Sequence, residues 1–429
     1  MTKRQRIEQA LAERFEFRYN VLTGGIDYRR KNSLQYLHHT NYVMNSIIRE
    51  IDKHSADTIT ESMYYSIIMS DFTESYHPVQ HYFNVHLAGL GETSSTEHIE
   101  RLAATVTVPD PQTWYLSLKR WLVASVANGL TEVECQNHTC IVMTGGMGLF
   151  KTTWLSMLCP PSLAPDLIMT GKVDLNLGNK DTFMLLATKF IINLDDQLRN
   201  LMKKDSETMK TLITHPEVSV RRPFAKFSET LARMANFLAS INGDEFMAEH
   251  ENRRFLPFRV QAININGAKA IDMNNVWHEA YCLWKTGLIL HKQWKDGDEA
   301  AGELFNSKYR YWWTKEELDE AFPDMQSFAF AGEEMEHLTS FFKIPKTKEE
   351  ANVTMNSSEI QAFIRSKTGI QLSSNKIGKA LKTLEAIELS VRTGKVVVKK
   401  YALIEIDRVR EPERLMKDQE TQLKKTIFK

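Results

Sequence analysis

One glycine-rich stretch decides the fold: Thr144-Gly145-Gly146-Met147-Gly148-Leu149-Phe150-Lys151-Thr152-Thr153. It follows the apolar run 140–143 and leads into residues 154–158, which can open a helix. Strand, glycine-rich turn, Lys-Thr pair and helix form the layout of a phosphate-binding loop, where backbone N–H groups converge on an anion. The lysine then neutralises the outer phosphates, and the next hydroxyl binds Mg²⁺. The stretch predicts an α/β P-loop NTPase core with a parallel sheet, with ATP bound by residues 145–153.

Phe150 departs from the usual pattern, G-x-x-x-x-G-K followed by Ser or Thr, because it replaces the last glycine. Glycine is used there because the backbone curls tightly around phosphate with no side chain in the way. We expect Phe150 to be tolerated if its φ is negative and its ring points away from the nucleotide. The alternative interpretation is an ordinary glycine-rich turn between a strand and a helix.

An acidic pair follows about forty residues later, where the apolar segment 190–194 ends at Asp195 and Asp196. Hydrolysis of a phosphate needs one carboxylate at the Mg²⁺ and another to polarise the attacking water. We assign Asp195, with Thr152, to the metal and Asp196 to the base. Taken alone, such a pair more often begins a loop or caps a helix.

Two further polar features follow the acidic pair. The apolar segment 237–241 ends at Asn242, whose amide can contact the γ-phosphate as a sensor, although Asn242-Gly243 also fits a turn. Arg253 and Arg254 suit a finger that reaches a neighbouring subunit's nucleotide, because the guanidinium fork binds phosphate oxygens. A surface salt-bridge pair is the alternative for these two arginines. The predicted catalytic residues are Lys151, Asp195, Asp196, Asn242, Arg253 and Arg254.

The order of these parts resembles the virulence-associated protein E family, P-loop ATPases related to superfamily 3 helicases and AAA+ proteins. Members are typically encoded by prophages and other mobile elements. Besides the lysine loop and acidic strand end, the resemblance is carried by Asp71-Phe72, His77-Pro78, Tyr82-Phe83, a helix around 114–121, segment 209–212, the turn at 220–224 and segment 251–254. Departures are Phe150, Glu251 before the Asn-Arg-Arg segment, and Asn193 where many members carry an acid, which favours Asp195 as the metal ligand.

The resemblance implies a ring of identical subunits, a hexamer for instance, that translocates or unwinds single-stranded or forked DNA. It implies a role in DNA replication of a mobile element, with a primase or another replication protein as partner. The turn carrying Arg221, Arg222 and Lys226 would protrude into a central channel and grip the strand.

Composition agrees with an intracellular enzyme. The chain has 429 residues, enough for two or three domains, with 42% hydrophobic and 25% charged residues. Net charge is zero, so nucleic-acid binding requires local basic patches. Four scattered cysteines without C-x-x-C spacing favour a cytoplasmic protein without disulfides or structural zinc. No apolar run is long enough to span a membrane, so no membrane partner is expected.

The domain organisation follows from changes along the chain. Residues 1–90 mix short helices with a hairpin at 17–30, and residues 91–266 form the ATPase core, including a helix at 111–128 capped by Gly129. Residues 267–342 are expected to form a helical subdomain, and 343–354 a linker. A winged helix-turn-helix-like domain at 355–407 and a charged tail at 408–429 complete the chain.

The winged-helix prediction rests on two helices followed by a hairpin. A helix starts at the serine cap Ser357 and breaks at Gly369, a second covers 373–382, and β-like runs at 389–393 and 395–406 follow. In that fold the second helix enters the DNA major groove. Its candidate DNA contacts are Lys376, Lys379 and Lys382, which share one broad face. The alternative is a solvated face on a protein-interaction domain.

Two functions remain open at this stage. The first is an ATP-driven DNA helicase or translocase. The second is a non-hydrolysing DNA-binding factor in which a degenerate lysine loop, marked by Phe150, is only scaffold. The retained Lys-Thr, Asp-Asp and Asn favour the first, because a scaffold has no need of all three.

Overall fold

The computed structural model describes residues 1–54, 57–90, 97–131, 136–171, 175, 179–222, 227–247, 254–328, 333–393 and 396–406. The chain divides into two compact units, Met1–Ala329 and Phe330–Lys429. The predicted tail at 408–429 and the residues Lys226 and Arg253 lie outside the described residues.

The first unit begins with a small sheet and three helices, and it contains the hairpin predicted at 17–30. In chain order the elements are α1 Lys3–Arg14, β1 Phe15–Asn20, β2 Gly25–Arg30, β3 Leu37–His38, α2 Asn41–His54, α3 Glu61–Ile68 and β4 Glu74–Tyr76. The strands lie in the order β3-β2-β1-β4, and β1 pairs with β4 in parallel. The apolar faces of α1, α2 and α3 pack on β1 and β2 to form a core of their own.

The central part of the unit is a layered α/β core. Its elements are α4 Pro78–His81, α5 His98–Ala103, β5 Val106–Thr107, α6 Pro111–Leu130, β6 Cys140–Thr144, α7 Lys151–Met157, α8 Ala164–Leu167, β7 Ile168–Thr170, α9 Lys180–Thr188, β8 Ile191–Asn193, α10 Gln197–Thr214, β9 Glu217–Val220, β10 Glu229–Ala232, β11 Asn236–Ser240, β12 Phe255–Arg259 and β13 Ala262–Ile263. Five strands form a sheet in the order β12-β6-β11-β8-β7.

Every neighbouring pair in this sheet is parallel, as the sequence predicted. All five residues of β6 and of β11 are buried, which explains why these strands read as continuous apolar runs rather than as alternating patterns. Because the strands are parallel, the loops that follow β6, β8 and β11 all leave the same edge of the sheet. The three polar sites found in the sequence therefore meet there.

Helix α6 packs against one face of the sheet. Its indole groups reach backbone oxygens: Trp121 donates to Phe237 O at 3.2 Å and Trp114 donates to Ala103 O at 3.0 Å. Asp110 caps the helix, and the helix runs past the predicted cap Gly129 to Leu130. A Cβ at Gly129 would lie 2.7 Å from Val79 Cγ1, so glycine permits close packing here rather than ending the helix.

Helices complete the first unit, and a smaller α/β arrangement makes up the second. The helices of the first unit are α11 Ile265–Lys269, α12 Met273–Lys295, α13 Glu299–Leu304 and α14 Lys315–Ala321. The second unit has α15 Glu333–Phe341, β14 Phe342–Lys343, β15 Val353–Met355, α16 Ser357–Thr368, α17 Ser374–Thr383, β16 Glu388–Thr393 and β17 Val396–Glu405.

The linker predicted at 343–354 is wrong, because β14 and β15 at its two ends pair with β17. That pairing joins residues 46 to 63 positions apart and leaves no local signal.

The second unit shows the predicted order of two helices followed by a hairpin of β16 and β17. Gly369 ends α16 with a φ of 77°, as expected of a left-handed C-cap. The N-cap is Asn356, whose side chain forms a capping box with Glu359, and not the predicted Ser357. The assignment of this unit as a DNA-binding winged helix stays a prediction.

Candidate nucleotide-binding site

The glycine-rich loop leaves the carboxyl end of β6 and enters α7, as predicted. Gly145 has a φ of 127° and Gly148 a φ of 81°, values that favour glycine. A Cβ on Gly145 would lie 2.7 Å from the carbonyl oxygen of Val260 in the neighbouring chain segment. The backbone of the loop therefore requires glycine at Gly145 on steric grounds as well as for its φ.

Phe150 adopts a left-handed backbone conformation at the end of the loop. Its φ is 61°, in the left-handed region, so the first condition for tolerating a side chain here, a negative φ, is not met. For an L-residue this region costs about 1–2 kcal/mol. The residue is 54% exposed, so its ring does not fill the interior of the loop. The backbone at Phe150 therefore has the left-handed conformation that glycine would adopt at this position of the motif, and the phenylalanine side chain makes that conformation strained.

Lys151, the first residue of α7, points its ammonium back into the loop. Its Nζ donates to Gly145 O at 3.0 Å, to Gly146 O at 2.6 Å and to Asn242 Oδ1 at 3.4 Å. The residue is buried, and desolvation lowers the pKa of its ammonium, while Asp196 and Asp195 oppose that shift. A desolvated cation held mainly by carbonyl oxygens gains strongly from an anionic partner.

Thr152 and Asp195 meet at the same edge. The Thr152 hydroxyl donates to Asp195 Oδ1 at 2.6 Å. The Ser240 hydroxyl, at the end of β11, donates to the same oxygen at 2.6 Å and lies 2.9 Å from Thr152 Oγ1. Ser240 was not predicted as a site residue because it appears in the sequence only as a strand residue, and nothing in its neighbourhood shows that β11 lies between β6 and β8.

Asp196 and Asn242 form the second contact across the strands. The Asn242 amide donates to Asp196 Oδ1 and Oδ2 at 3.0 and 2.9 Å, and its backbone N–H donates to Oδ1 at 3.2 Å. Asn242 thus touches both the lysine and the acidic residue assigned as base. A carboxylate held by three hydrogen bonds from one residue is fixed in orientation, which a general base requires.

Asn193 is the last residue of β8, two positions before Asp195. It is fully buried, and its Oδ1 accepts a hydrogen bond from Asp195 N at 3.2 Å. Its amide donates to Ser156 Oγ at 3.3 Å. Asn193 therefore supports the turn that carries Asp195, which itself has a φ of 44°.

The oxygen atoms of Thr152 and Asp195 fit a magnesium ion. Mg²⁺ prefers oxygen ligands, and nucleotide sites supply one or two from the protein while water and phosphate oxygens complete the shell. Within the described residues no group of three or more His, Cys, Asp or Glu side chains is placed to hold a metal ion. The donor set suits a metal that arrives with a nucleotide rather than one that stays resident.

Arg254 lies at the opposite edge of the sheet. It directly precedes β12, and its carbonyl oxygen accepts a hydrogen bond from Cys140 N at the start of β6. A strand of five residues spans about 16 Å, so Arg254, before β12, and Lys151, after β6, are separated by at least the length of the strands. Arg254 is not part of the same cluster as Lys151 and Asp195.

The predicted DNA-gripping turn joins β9 and β10, which form an antiparallel hairpin. Arg221 is exposed, but Arg222 is buried, contrary to the prediction of a protruding side chain. Arg222 donates to Leu22 O and Val21 O, each at 2.7 Å, and pairs with Glu229. The guanidinium joins this hairpin to the turn between β1 and β2, residues two hundred positions earlier, and is not available to a DNA backbone.

The lysines of α17 lie on its exposed side. Lys376, Lys379 and Lys382 are all exposed, as predicted. Lys376 Nζ lies 3.9 Å from a carboxylate oxygen of Glu334 on α15. Their contact with DNA stays a prediction.

Comparison with known proteins assigns the family. The model of the virulence-associated protein E-like domain matches residues 87–311, more than half of the chain. The chain belongs to this family, as the resemblance of its motifs predicted. The match includes the glycine-rich loop, the acidic pair, Asn242 and both arginines.

The comparison with solved structures gives distant similarities, and the comparison with curated proteins gives none. The apo structure of the NrS-1 C-terminal region (305–718) is 10% identical, covers 94% of this chain and 100% of its own, and has a TM-score of 0.42. A second, A-form apo structure of that region is 12% identical, covers 93% and 98%, and has a TM-score of 0.43. Within the described residues, no helix has the length and apolar character to cross a membrane.

Proposed function

We propose that this protein is an ATPase that uses Mg²⁺–ATP to translocate along or unwind DNA during the replication of a mobile element. One observation carries the proposal. Two hydrogen-bonded pairs, Thr152 with Asp195 and Asn242 with Asp196, meet beside Lys151 although they come from separate strands. A scaffold without hydrolysis has no need for a hydroxyl, two carboxylates, an amide and an ammonium at one sheet edge.

The residues would divide the work as follows. The backbone amides of 145–153 and the Lys151 ammonium would bind the phosphates. To do so, the ammonium would give up its hydrogen bonds to the carbonyl oxygens of Gly145 and Gly146. Thr152 and Asp195 would hold Mg²⁺, which when bound neutralises charge on the transferring phosphoryl group. Asp196 would accept a proton from the attacking water, and Asn242, which already contacts Asp196 and Lys151, would respond to the γ-phosphate.

The test is ATP turnover, measured with and without single-stranded DNA. Asp196→Asn should lower kcat by a factor of about 10² to 10⁴, the contribution of a positioned general base. The matched control is Asp319→Asn, since Asp319 is an exposed acid on α14. Absence of turnover in the wild type, or equal turnover in wild type and Asp196→Asn, eliminates the proposal.

The position of Arg254 directly before β12 supports the proposal of a ring of identical subunits. Because this arginine lies across the sheet from Lys151, it would act on the nucleotide of a neighbouring subunit. We expect Arg254→Ala to cut turnover by about 10³-fold, the scale of an arginine finger. Mixing it with an inactive Lys151→Ala protein should restore activity, because each Lys151→Ala subunit donates an intact arginine to a neighbour. Lack of rescue on mixing would place Arg254 outside the neighbour's site.

A second function is favoured by the strain at Phe150. The strain of its left-handed φ would weaken nucleotide binding, and a DNA-binding factor that does not hydrolyse ATP would tolerate this. The two functions differ in one measurable respect, because only the ATPase loses DNA-stimulated turnover when Asp196 is replaced.

A further inference from the structure

Asp244 connects the ends of two strands directly beneath the glycine-rich loop. Its Oδ1 accepts a hydrogen bond from the Thr144 hydroxyl at 2.8 Å, and its Oδ2 accepts one from Arg259 Nε at 3.0 Å. Thr144 ends β6, immediately before Gly145, and Arg259 ends β12 opposite Thr144 in the register. One carboxylate therefore holds the base of the loop to the neighbouring strand.

The backbone adds a second connection between the same segments. Gly145 and Gly243 exchange hydrogen bonds, with N···O distances of 3.4 and 3.3 Å. Gly243 lies between Asn242 and Asp244, so the segment that carries the sensor amide is attached to the loop at two successive residues. The position of Asn242 relative to Lys151 depends on these attachments.

Arg259 extends the connection to the turn at 324–328. Its outer nitrogens donate to Ser327 Oγ at 2.6 Å and to Asp324 Oδ2 at 3.3 Å, and its Cζ lies 4.5 Å from the centre of the Phe328 ring. Phe328 O in turn accepts hydrogen bonds from the N–H groups of residues 246 and 247, at 2.9 and 3.0 Å. A planar fork with five donors can make these contacts together, and a lysine ammonium cannot.

We propose that Asp244 and Arg259 are positioning residues for ATP hydrolysis, which set the Asn242 amide against Lys151 and Asp196. The inference rests on the proposed ATPase function. Among the described residues, neither side chain forms a hydrogen bond or ion pair with Lys151, Thr152, Asp195 or Asp196; both would act through Asn242 and the loop. Displacing a reacting group by 1 Å can cost about 10² in rate, so loss of this pair lowers kcat while the phosphate-binding groups remain.

The experiment measures kcat and KM for ATP in variants of both residues. Asp244→Ala and Arg259→Gln should each lower kcat by about 10- to 100-fold and change KM by less than about twofold. Asp244→Asn and Arg259→Lys should each lose less, because one retains a hydrogen-bonding oxygen and the other the charge. In the double variant the losses should not multiply, since the two residues act as one unit. Asp319→Asn on the exposed side of α14 is the control.

Each outcome decides the inference. Wild-type kcat in Asp244→Ala, losses that multiply in the double variant, or a rise in KM in place of a fall in kcat overturns it while the ATPase stands. Should Asp244→Ala not fold, Asp244→Asn gives the same decision. Absence of turnover in the wild type defeats the proposed function itself and takes the inference with it.

Discussion

The carboxyl edge of the parallel sheet and helix α17 both carry lysines, but in opposite environments. Lys151 is buried and bonded to two carbonyl oxygens and an amide, while Lys376, Lys379 and Lys382 project from an exposed helix face. A buried lysine fixed in position suits a reaction that depends on geometry. Exposed lysines suit attraction to phosphates, which depends on charge and release of counterions. We therefore expect substitutions at Lys151 to affect ATP turnover without changing DNA affinity, and substitutions of the α17 lysines to do the reverse.

The largest effect is expected from Lys151→Ala. Removal of the only ammonium in the loop should reduce ATP turnover by at least about 10³-fold, because phosphate charge is then uncompensated in a desolvated site. DNA affinity without nucleotide should be unchanged, since the α17 lysines remain. An ATP turnover assay measures the first effect, and fluorescence anisotropy of labelled DNA measures the DNA affinity. A parallel loss of DNA affinity would show that the two regions are not independent.

A smaller effect is expected from the α17 lysines. Lys379→Gln with Lys382→Gln should weaken DNA binding by about tenfold and reduce the slope of log affinity against log salt by roughly 1 to 2. Turnover without DNA should stay at the wild-type level. The matched control is Lys346→Gln with Lys348→Gln, two exposed lysines of the same unit. Equal loss in both double variants would mean that α17 carries no special DNA contact.

The smallest effect is expected at Phe150. Phe150→Gly should relieve the left-handed strain, stabilise the loop by about 1 kcal/mol and tighten Mg²⁺–ATP binding several-fold. Met147→Gly is the contrasting variant, because it loosens the same loop without relieving a positive φ and should weaken binding. Calorimetric titration and thermal melting measure both. Weaker binding in Phe150→Gly would show that the aromatic ring contributes to the site.

These differences explain what the sequence predicted and what it did not. Lys151, Asp195, Asp196 and Asn242 each directly follow an apolar run or a glycine-rich turn, so local pattern and the rule for parallel strands were enough to bring them together. Their catalytic roles stay predictions.

Ser240 and Asp244 were missed because their partners are set by strand order. Arg222 was misassigned because its partners, Val21 and Leu22, lie two hundred residues away. The same distance effect hid β14 and β15 within an apparent linker. In each case the information lies in non-local packing and not in the residue's own neighbourhood.

The most direct measurement is a crystal structure with Mg²⁺ and a non-hydrolysable ATP analogue. We predict terminal phosphates beneath the amides of 145–153, with Lys151 Nζ turned from its carbonyl partners to the phosphate and the metal between Thr152 and Asp195. A nucleotide-free loop at saturating analogue, with the Phe150 ring in the phosphate position, would contradict the proposal.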